Sequence, residues 1–286
     1  IEICKSMTNP EPLEIGEYKG FKIILSFDTM DRKFYASMKN NLSYKTELGS
    51  DPSGNITRID NVLNGIETRL SSIENNLEDT KKNYESAKKG IRASLEKSGL
   101  EYFDLYLLHQ ACGDYFSAWR AMEDAYKKGL LKAIGVSNFY PNILTNFCEV
   151  VKVKPVVNQV ELHPYYTQEK ALETMKYYNV IPEAWAPLGG GRYNPFEDEM
   201  LKEIAEKHNK TVGQVILRWN IQRGVVVIPK STHVERIKEN IDIFDFELNE
   251  EEMKQISSLD MGYSGSRAKH FEPDFVRMVL NNKIHD

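Results

Sequence analysis

The chain has 286 residues, 41% of them hydrophobic and 28% charged, which is enough apolar material for one large domain or two modest ones. Its formal net charge of −5 gives no electrostatic reason to expect nucleic acid or an anionic membrane as a partner. No apolar run reaches membrane-span length, and Ile1 to Gly20 is broken by Pro10, Pro12 and several charges, unlike a signal peptide. The three cysteines, Cys4, Cys112 and Cys148, are odd in number and widely spaced. That is neither a disulfide framework nor a zinc pattern, so no metal and a reducing cytoplasm are expected. The first residue is Ile1 rather than methionine, so the sequence reads as a piece of something longer.

The N-terminal stretch offers three short strands, Phe21–Phe27, Lys33–Met38 and Ser43–Leu48. Connections of a few residues require antiparallel neighbours, because a parallel return needs a long crossover. The Asp51-Pro-Ser-Gly54 cluster ends the sheet pattern. Beyond it Ile59, Leu63, Ile66, Leu70, Ile73, Leu77, Tyr84 and Ala87 keep a four–three alternation, with Thr80 in the one polar slot. This heptad seam predicts a long helix that either lies along the rest of the protein or associates with a partner as a coiled coil.

From Tyr84 the rhythm becomes strand, helix, strand, helix. Apolar runs at Phe103–His109, Lys132–Asn138, Val156–Leu162, Val180–Leu188 and Val225–Ser231 alternate with helical patterns. One helix face is expected from Trp119, Met122 and Tyr126, another from Leu172, Met175 and Tyr178, and a third from Val215, Leu217 and Ile221. Repeated strand–helix units predict a parallel sheet covered by helices. Polar or aromatic residues gather where these strands end, namely His109, Ser137 with Asn138, Gln159 with Glu161, Trp185, and Lys230 with Ser231. Chemistry sits at that end of the strands in parallel barrels, so a (β/α) barrel is the first expectation and an open doubly wound sheet the alternative. No GxGxxG follows a strand, which leaves a Rossmann site unsupported.

Two resemblances divide the chain at about residue 84. Residues 1–83, through the runs Gly16–Asp28 and Asn40–Lys88, resemble the C-terminal tail of very large helicase–DNA methylase proteins of bacterial mobile elements, without any motor or methyltransferase motif. Residues 84–286 resemble the second half of an NADP-dependent aldo-keto reductase. The motifs LYLLHQ (Leu105–Gln110), KAIGVSNF (Lys132–Phe139), NQVELHPY (Asn158–Tyr165), AWAPLG (Ala184–Gly189) and VIPKSTHVERIKEN (Val227–Asn240) follow in family order. The resemblance implies an α/β fold, a partial (β/α)8 TIM barrel of strands four to eight, preceded by the small antiparallel segment and the heptad helix.

The same resemblance implies hydride transfer from NADPH to a small aldehyde or ketone. It makes His109 the histidine beside the carbonyl oxygen; alone, that residue would read as a hydrogen-bonded strand-end histidine. It makes Ser137, Asn138 and Gln159 the holders of the nicotinamide carboxamide, a group whose donors and acceptors such side chains match. Trp185 becomes the ring stacked on the nicotinamide, though any tryptophan also serves a core. Leu188 and Gly189, with the glycines after them, become the loop over the pyrophosphate. Lys230, Ser231 and Arg236 become the clamp on the adenosine 2′-phosphate, a suitable set for a dianion. Glu239 and Asn240 become the adenine pair. His233 stands where the family often has a small residue.

The family's catalytic tyrosine, with its lysine and aspartate, has no counterpart before Phe103. An Asp-Thr-Ala run, a tyrosine five residues past that aspartate, and a Thr-Lys closing the third strand are all missing. Asp28-Thr29 is tempting, but Lys33 occupies the tyrosine position and Tyr35 comes two residues late. Three functions follow as expectations. The chain is an NADP-dependent carbonyl reductase, or a catalytically dead chimera keeping part of a nucleotide site, or an interaction module whose working part is the heptad helix; self-association through that helix or through open barrel edges is expected besides. The second is favoured, because a positioned proton donor is typically worth about 10²–10⁴ in rate.

Overall fold

The computed structural model describes the backbone of residues 13–18, 21–28, 33–39, 45–49, 52–266, 270 and 272–281, and side chains from Asn61 onward within them. Cys4 and Asp51 lie outside the described residues. The described chain falls into two compact units, Ile1–Asp79 and Thr80–Asp286, dividing four residues before the boundary expected from sequence.

The first unit contains the strands β1 (Leu13–Tyr18), β2 (Phe21–Asp28), β3 (Lys33–Lys39) and β4 (Lys45–Gly49), paired antiparallel in that order. Asp28 is paired with Lys33 across the β2–β3 connection, and Tyr35 with Ser26. Asp28 is therefore the last residue of an antiparallel hairpin strand, not of a barrel strand, and Thr29 lies outside the described residues. The helix α1 spans Pro52–Ser98 and contains the whole heptad seam, extending beyond it at both ends. Its seam is not uniformly covered. Leu63, Ile66 and Leu70 are half-buried, whereas Ile73 and Leu77 are 57% and 68% exposed. Ile91 and Leu95, in the second unit, are buried in the core.

The second unit is built on five parallel strands in sequential order, β5 (Tyr106–Leu108), β6 (Ile134–Ser137), β7 (Val157–Glu161), β8 (Ile181–Trp185) and β9 (Val226–Val227). Helices α2 (Tyr115–Lys127), α3 (Pro141–Val150) and α4 (Glu169–Tyr178) connect the first four strands. Two helices, α5 (Glu199–Lys207) and α6 (Val212–Gln222), lie between β8 and β9. After β9 come α7 (Val234–Ile241), α8 (Glu250–Ser257) and α9 (Pro273–Asn281). Local chemistry starts these helices where the sequence signals it. The Asp114 carboxylate accepts from the Ser117 N–H at the start of α2, Pro141 opens α3, and Thr211 with Gln214 forms a capping box on α6.

The core lies between sheet and helices. Trp119, Phe139 and Phe147 are fully buried and pack edge to face at about 5 Å between ring centroids. Trp119 and Met122 share the buried face of α2, but Tyr126 is 41% exposed and leaves it. The strands are shorter than the apolar runs that predict them because the backbone turns out of the ladder at the rim. Asn138, just after β6, has φ 60°, and Ala186, just after β8, has φ 51°. At Gly135 a Cβ would stand 2.8 Å from the Val157 carbonyl oxygen and 2.6 Å from the Leu107 side chain, so any side chain there would force the neighbouring strands to shift.

Candidate functional site

Parallel pairing carries the polar residues of all five strands to one rim, the carboxyl ends, where open α/β sheets and barrels place ligands. The register sets Ser137 beside Gln159, Gln159 beside Glu183, and Glu161 beside Trp185. Around Asn138 these become one hydrogen-bonded cluster. Its left-handed backbone turns the side chain inward, where it is 4% exposed. The Asn138 amide nitrogen donates to the Ser137 hydroxyl oxygen (3.0 Å) and to the His109 carbonyl (3.3 Å). Its amide oxygen accepts from the Trp185 indole N–H at 2.9 Å. The Ser137 hydroxyl donates to the Gln159 carbonyl at 2.9 Å, and the Gln159 amide donates to the Glu183 carboxylate. His109 itself is exposed and joins the cluster through its backbone.

A second group of sequence-predicted residues meets in one groove of about 740 Å³. Leu188, Gly190 and Gly191 line it together with Lys230, Ser231, Arg236, Glu239 and Asn240. The spacing follows from α7, whose turn places Arg236, Glu239 and Asn240 on one face beside the Lys230-Ser231 segment. Gly189, Gly190 and Gly191 all have positive φ (82°, 60° and 74°), so the turn needs glycine at each step. Gly189 is buried and does not line the groove. The His233 N–H is held by the Ser231 hydroxyl oxygen at 3.1 Å, and its imidazole is absent from the lining.

The rim also holds side chains to which the sequence assigns no role: Glu161, expected only as a polar strand-end residue, and Arg192, Ser264 and His270, which no pattern marks. Glu161 is fully buried and receives Nε2 of the equally buried His163 (3.3 Å), the Ser264 hydroxyl, and Nη2 of Arg192 (3.4 Å). Burial disfavours the Glu161 carboxylate, but the His163 and Ser264 hydrogen bonds and the Arg192 charge outweigh it, holding the carboxyl below its ordinary range. The Arg192 guanidinium lies 5.6 Å from the Trp185 ring centroid. His270 meets the other elements here too, 5.6 Å edge-on from Trp185, with Nδ1 3.0 Å from the Gln110 side-chain oxygen. Burial pushes the His270 imidazole down in pKa, and the neighbouring His109 and Arg192 act the same way against the pull of Glu161. The period-two placement of Gln159 and Glu161 was the available signal for Glu161. Ser264 lies 103 residues further on, beyond any local pattern.

Three of the described tyrosines before Lys132 have partners away from this cluster. The Tyr106 hydroxyl meets Ser94 of α1 at 3.1 Å, Tyr84 bonds Asp124, and Tyr102 is exposed under the Lys132 ammonium. No group of His, Cys, Asp and Glu among the described residues could hold a metal ion.

Comparison with known proteins gives a consistent picture. The model of the aldo/keto reductase family matches residues 64–261, beginning within α1 and some twenty residues before the boundary expected from sequence. Curated relatives include a 9,11-endoperoxide prostaglandin H2 reductase of Trypanosoma cruzi, 48% identical over 58% of this chain and 60% of its own length. A glyoxal reductase of Bacillus subtilis is 50% identical over 58% of this chain and 60% of its own length. The chain thus spans about three-fifths of the curated relatives it matches. Among solved structures, an aldo-keto reductase from a Medee basin deep-sea metagenome library superposes with TM-score 0.62 at 43% identity, over 63% of this chain and 68% of the other. A Bombyx mori aldo-keto reductase in complex with NADP superposes with TM-score 0.60 at 35% identity, over 63% and 64%. With more than half its length matched by the family model and its strand-end residues gathered at one rim, the chain belongs to the aldo/keto reductase family.

Proposed function

We propose that this chain binds NADPH at the carboxyl rim of its parallel sheet and has lost most or all of the carbonyl reduction that the nucleotide would support. The observation that carries this reading is the groove lined by Leu188, Gly190 and Gly191 together with Lys230, Ser231, Arg236, Glu239 and Asn240. Two cations and a hydroxyl there suit a phosphate dianion, and the glycine turn lets backbone approach a pyrophosphate. Trp185, fixed by Asn138, is the surface for the nicotinamide, and Ser137, Asn138 and Gln159 surround its carboxamide. When bound, NADPH would supply a hydride to the carbonyl carbon of a small aldehyde or ketone. His109 is the one group of this chain assigned to orient that carbonyl. The proposed loss rests on the sequence, in which the family's tyrosine, lysine and aspartate motifs have no match before Phe103, and on Asp28 and Tyr35, which belong to an antiparallel hairpin.

The five parallel strands are read as strands four to eight of an eight-stranded barrel, with residues 1–83 a segment of mobile-element origin, so that the chain is a chimera. A cytoplasmic setting fits the free Cys112 and Cys148 thiols. No helix among the described residues is long and apolar enough to cross a membrane. Self-association is part of the proposal, because β5 and β9 are edge strands among the described residues and Ile73 and Leu77 of the heptad seam are exposed.

The deciding experiment is direct nucleotide binding. NADPH is expected to bind at least about tenfold more tightly than NADH, the effect of one good charged contact. Lys230→Ala and Arg236→Ala should each remove much of that preference. Equal affinity for the two nucleotides, or unchanged preference in both variants, would overturn the cofactor assignment.

A further inference from the structure

The Asn138–Trp185 cluster and the cationic groove are separate sets of residues, and one side chain touches elements of both. Arg192 follows directly on the triglycine turn. Its Nη2 is 3.4 Å from the buried Glu161 carboxylate at the end of β7. Its guanidinium carbon stands 5.6 Å from the Trp185 ring centroid at the end of β8. Its Nη1 lies 2.7 Å from the place a Cβ would take at Gly190, so it rests against the backbone of the groove wall.

Glu161 has a structural reason to be there. It ties β7 to the segment after α8 through Ser264, and its carbonyl accepts from the Gln168 amide. Only a planar fork with several donors can answer such a carboxylate while lying along an indole and against a backbone turn; an ammonium meets one of these demands at a time.

We propose that Arg192 is a positioning residue for the nicotinamide half of the bound nucleotide. Clasped to Glu161, it fixes the glycine turn and the Trp185 ring relative to each other, so that the groove and the aromatic surface receive one dinucleotide together. The inference rests on the NADPH reading above. It separates from that reading because the adenosine half is assigned to other residues, Lys230, Ser231, Arg236, Glu239 and Asn240.

The test uses the full chain and two probes, NADPH and adenosine 2′,5′-bisphosphate, which lacks the nicotinamide half. Arg192→Ala should weaken NADPH binding by about tenfold or more, the scale of a charged hydrogen bond. It should leave bisphosphate binding within about twofold, as independent sites do. Glu161→Gln, which keeps the side chain's shape but removes its charge, should shift NADPH binding in the same direction and spare the bisphosphate. Arg192→Lys should restore NADPH binding only in part. Unchanged or tighter NADPH binding in Arg192→Ala would overturn the positioning role, tighter binding meaning that the guanidinium shields Trp185. Equal loss of both probes would also overturn it, as general damage to the fold. Failure of the unaltered chain to bind either probe would overturn the nucleotide reading itself and this role with it.

Discussion

Asn138 has the most demanding position in the site, since its backbone is left-handed and its amide satisfies three different groups. Asn138→Ala should destabilise the protein by about 2–3 kcal/mol, from the unfavourable φ and the indole N–H left without its acceptor. Urea unfolding midpoints measure this, and Asn138→Gly, which relieves only the backbone, should recover part of the loss. Glu161 makes a pH prediction. Its folded pKa lies below an unfolded value of about 4.3, so its stabilisation is present above that pH and is lost as pH falls through the folded pKa. Glu161→Gln should therefore flatten the acid limb of stability against pH below about 4.3, whereas an unchanged limb would show that other carboxylates set it. At this scale the sequence was informative wherever a residue sat in a strand-end motif. Ser137, Asn138, Gln159 and Trp185 come together through pairing register, which period-two patterning encodes. Arg192 and His270 sit on irregular backbone, where no periodicity marks which side chain turns inward, and they were not legible.

Among the elements, β6 depends on a residue with no side chain. Gly135→Ala would push a methyl against the Val157 carbonyl and the Leu107 side chain, and the backbone oxygen cannot move without breaking the sheet. An overpacking cost of about 1–3 kcal/mol is expected, measured as a lower urea midpoint with an unchanged slope. The glycine was legible as part of the KAIGVSNF motif, but its purpose needed the neighbouring strand. Strand order in the second unit was legible because short apolar runs alternate with amphipathic helices, and each run produced a strand. Strand ends were not, because the chain leaves the ladder through positive φ at Asn138 and Ala186, a choice that adjacent apolar residues do not reveal. The heptad pattern correctly marked a helix but not its extent. The helix continues past the seam to Ile91 and Leu95, which pack in the core, and ends at Ser98.

For the whole molecule, the exposed apolar side chains matter most. Val226 and Ile228 at β9, and Val234, Ile237 and Ile241 along α7, are between 42% and 70% exposed. Exposed apolar side chains beside an edge strand favour association, so sedimentation should show mass rising with concentration. A monomer across that range would remove the self-association proposal and leave the nucleotide assignment standing. Family membership was legible over the second unit from five ordered motifs. What residues 1–83 contribute was not, since they carry no motif of the reductase chemistry. The most direct test of the account is a titration of the full chain with NADPH and NADH, followed by a carbonyl assay on the same sample with glyoxal or methylglyoxal. The account expects NADPH to bind at least about tenfold more tightly than NADH and then to remain unoxidised. Equal binding of the two nucleotides, or NADPH oxidation above about one turnover per second, the ordinary enzyme range, would contradict it.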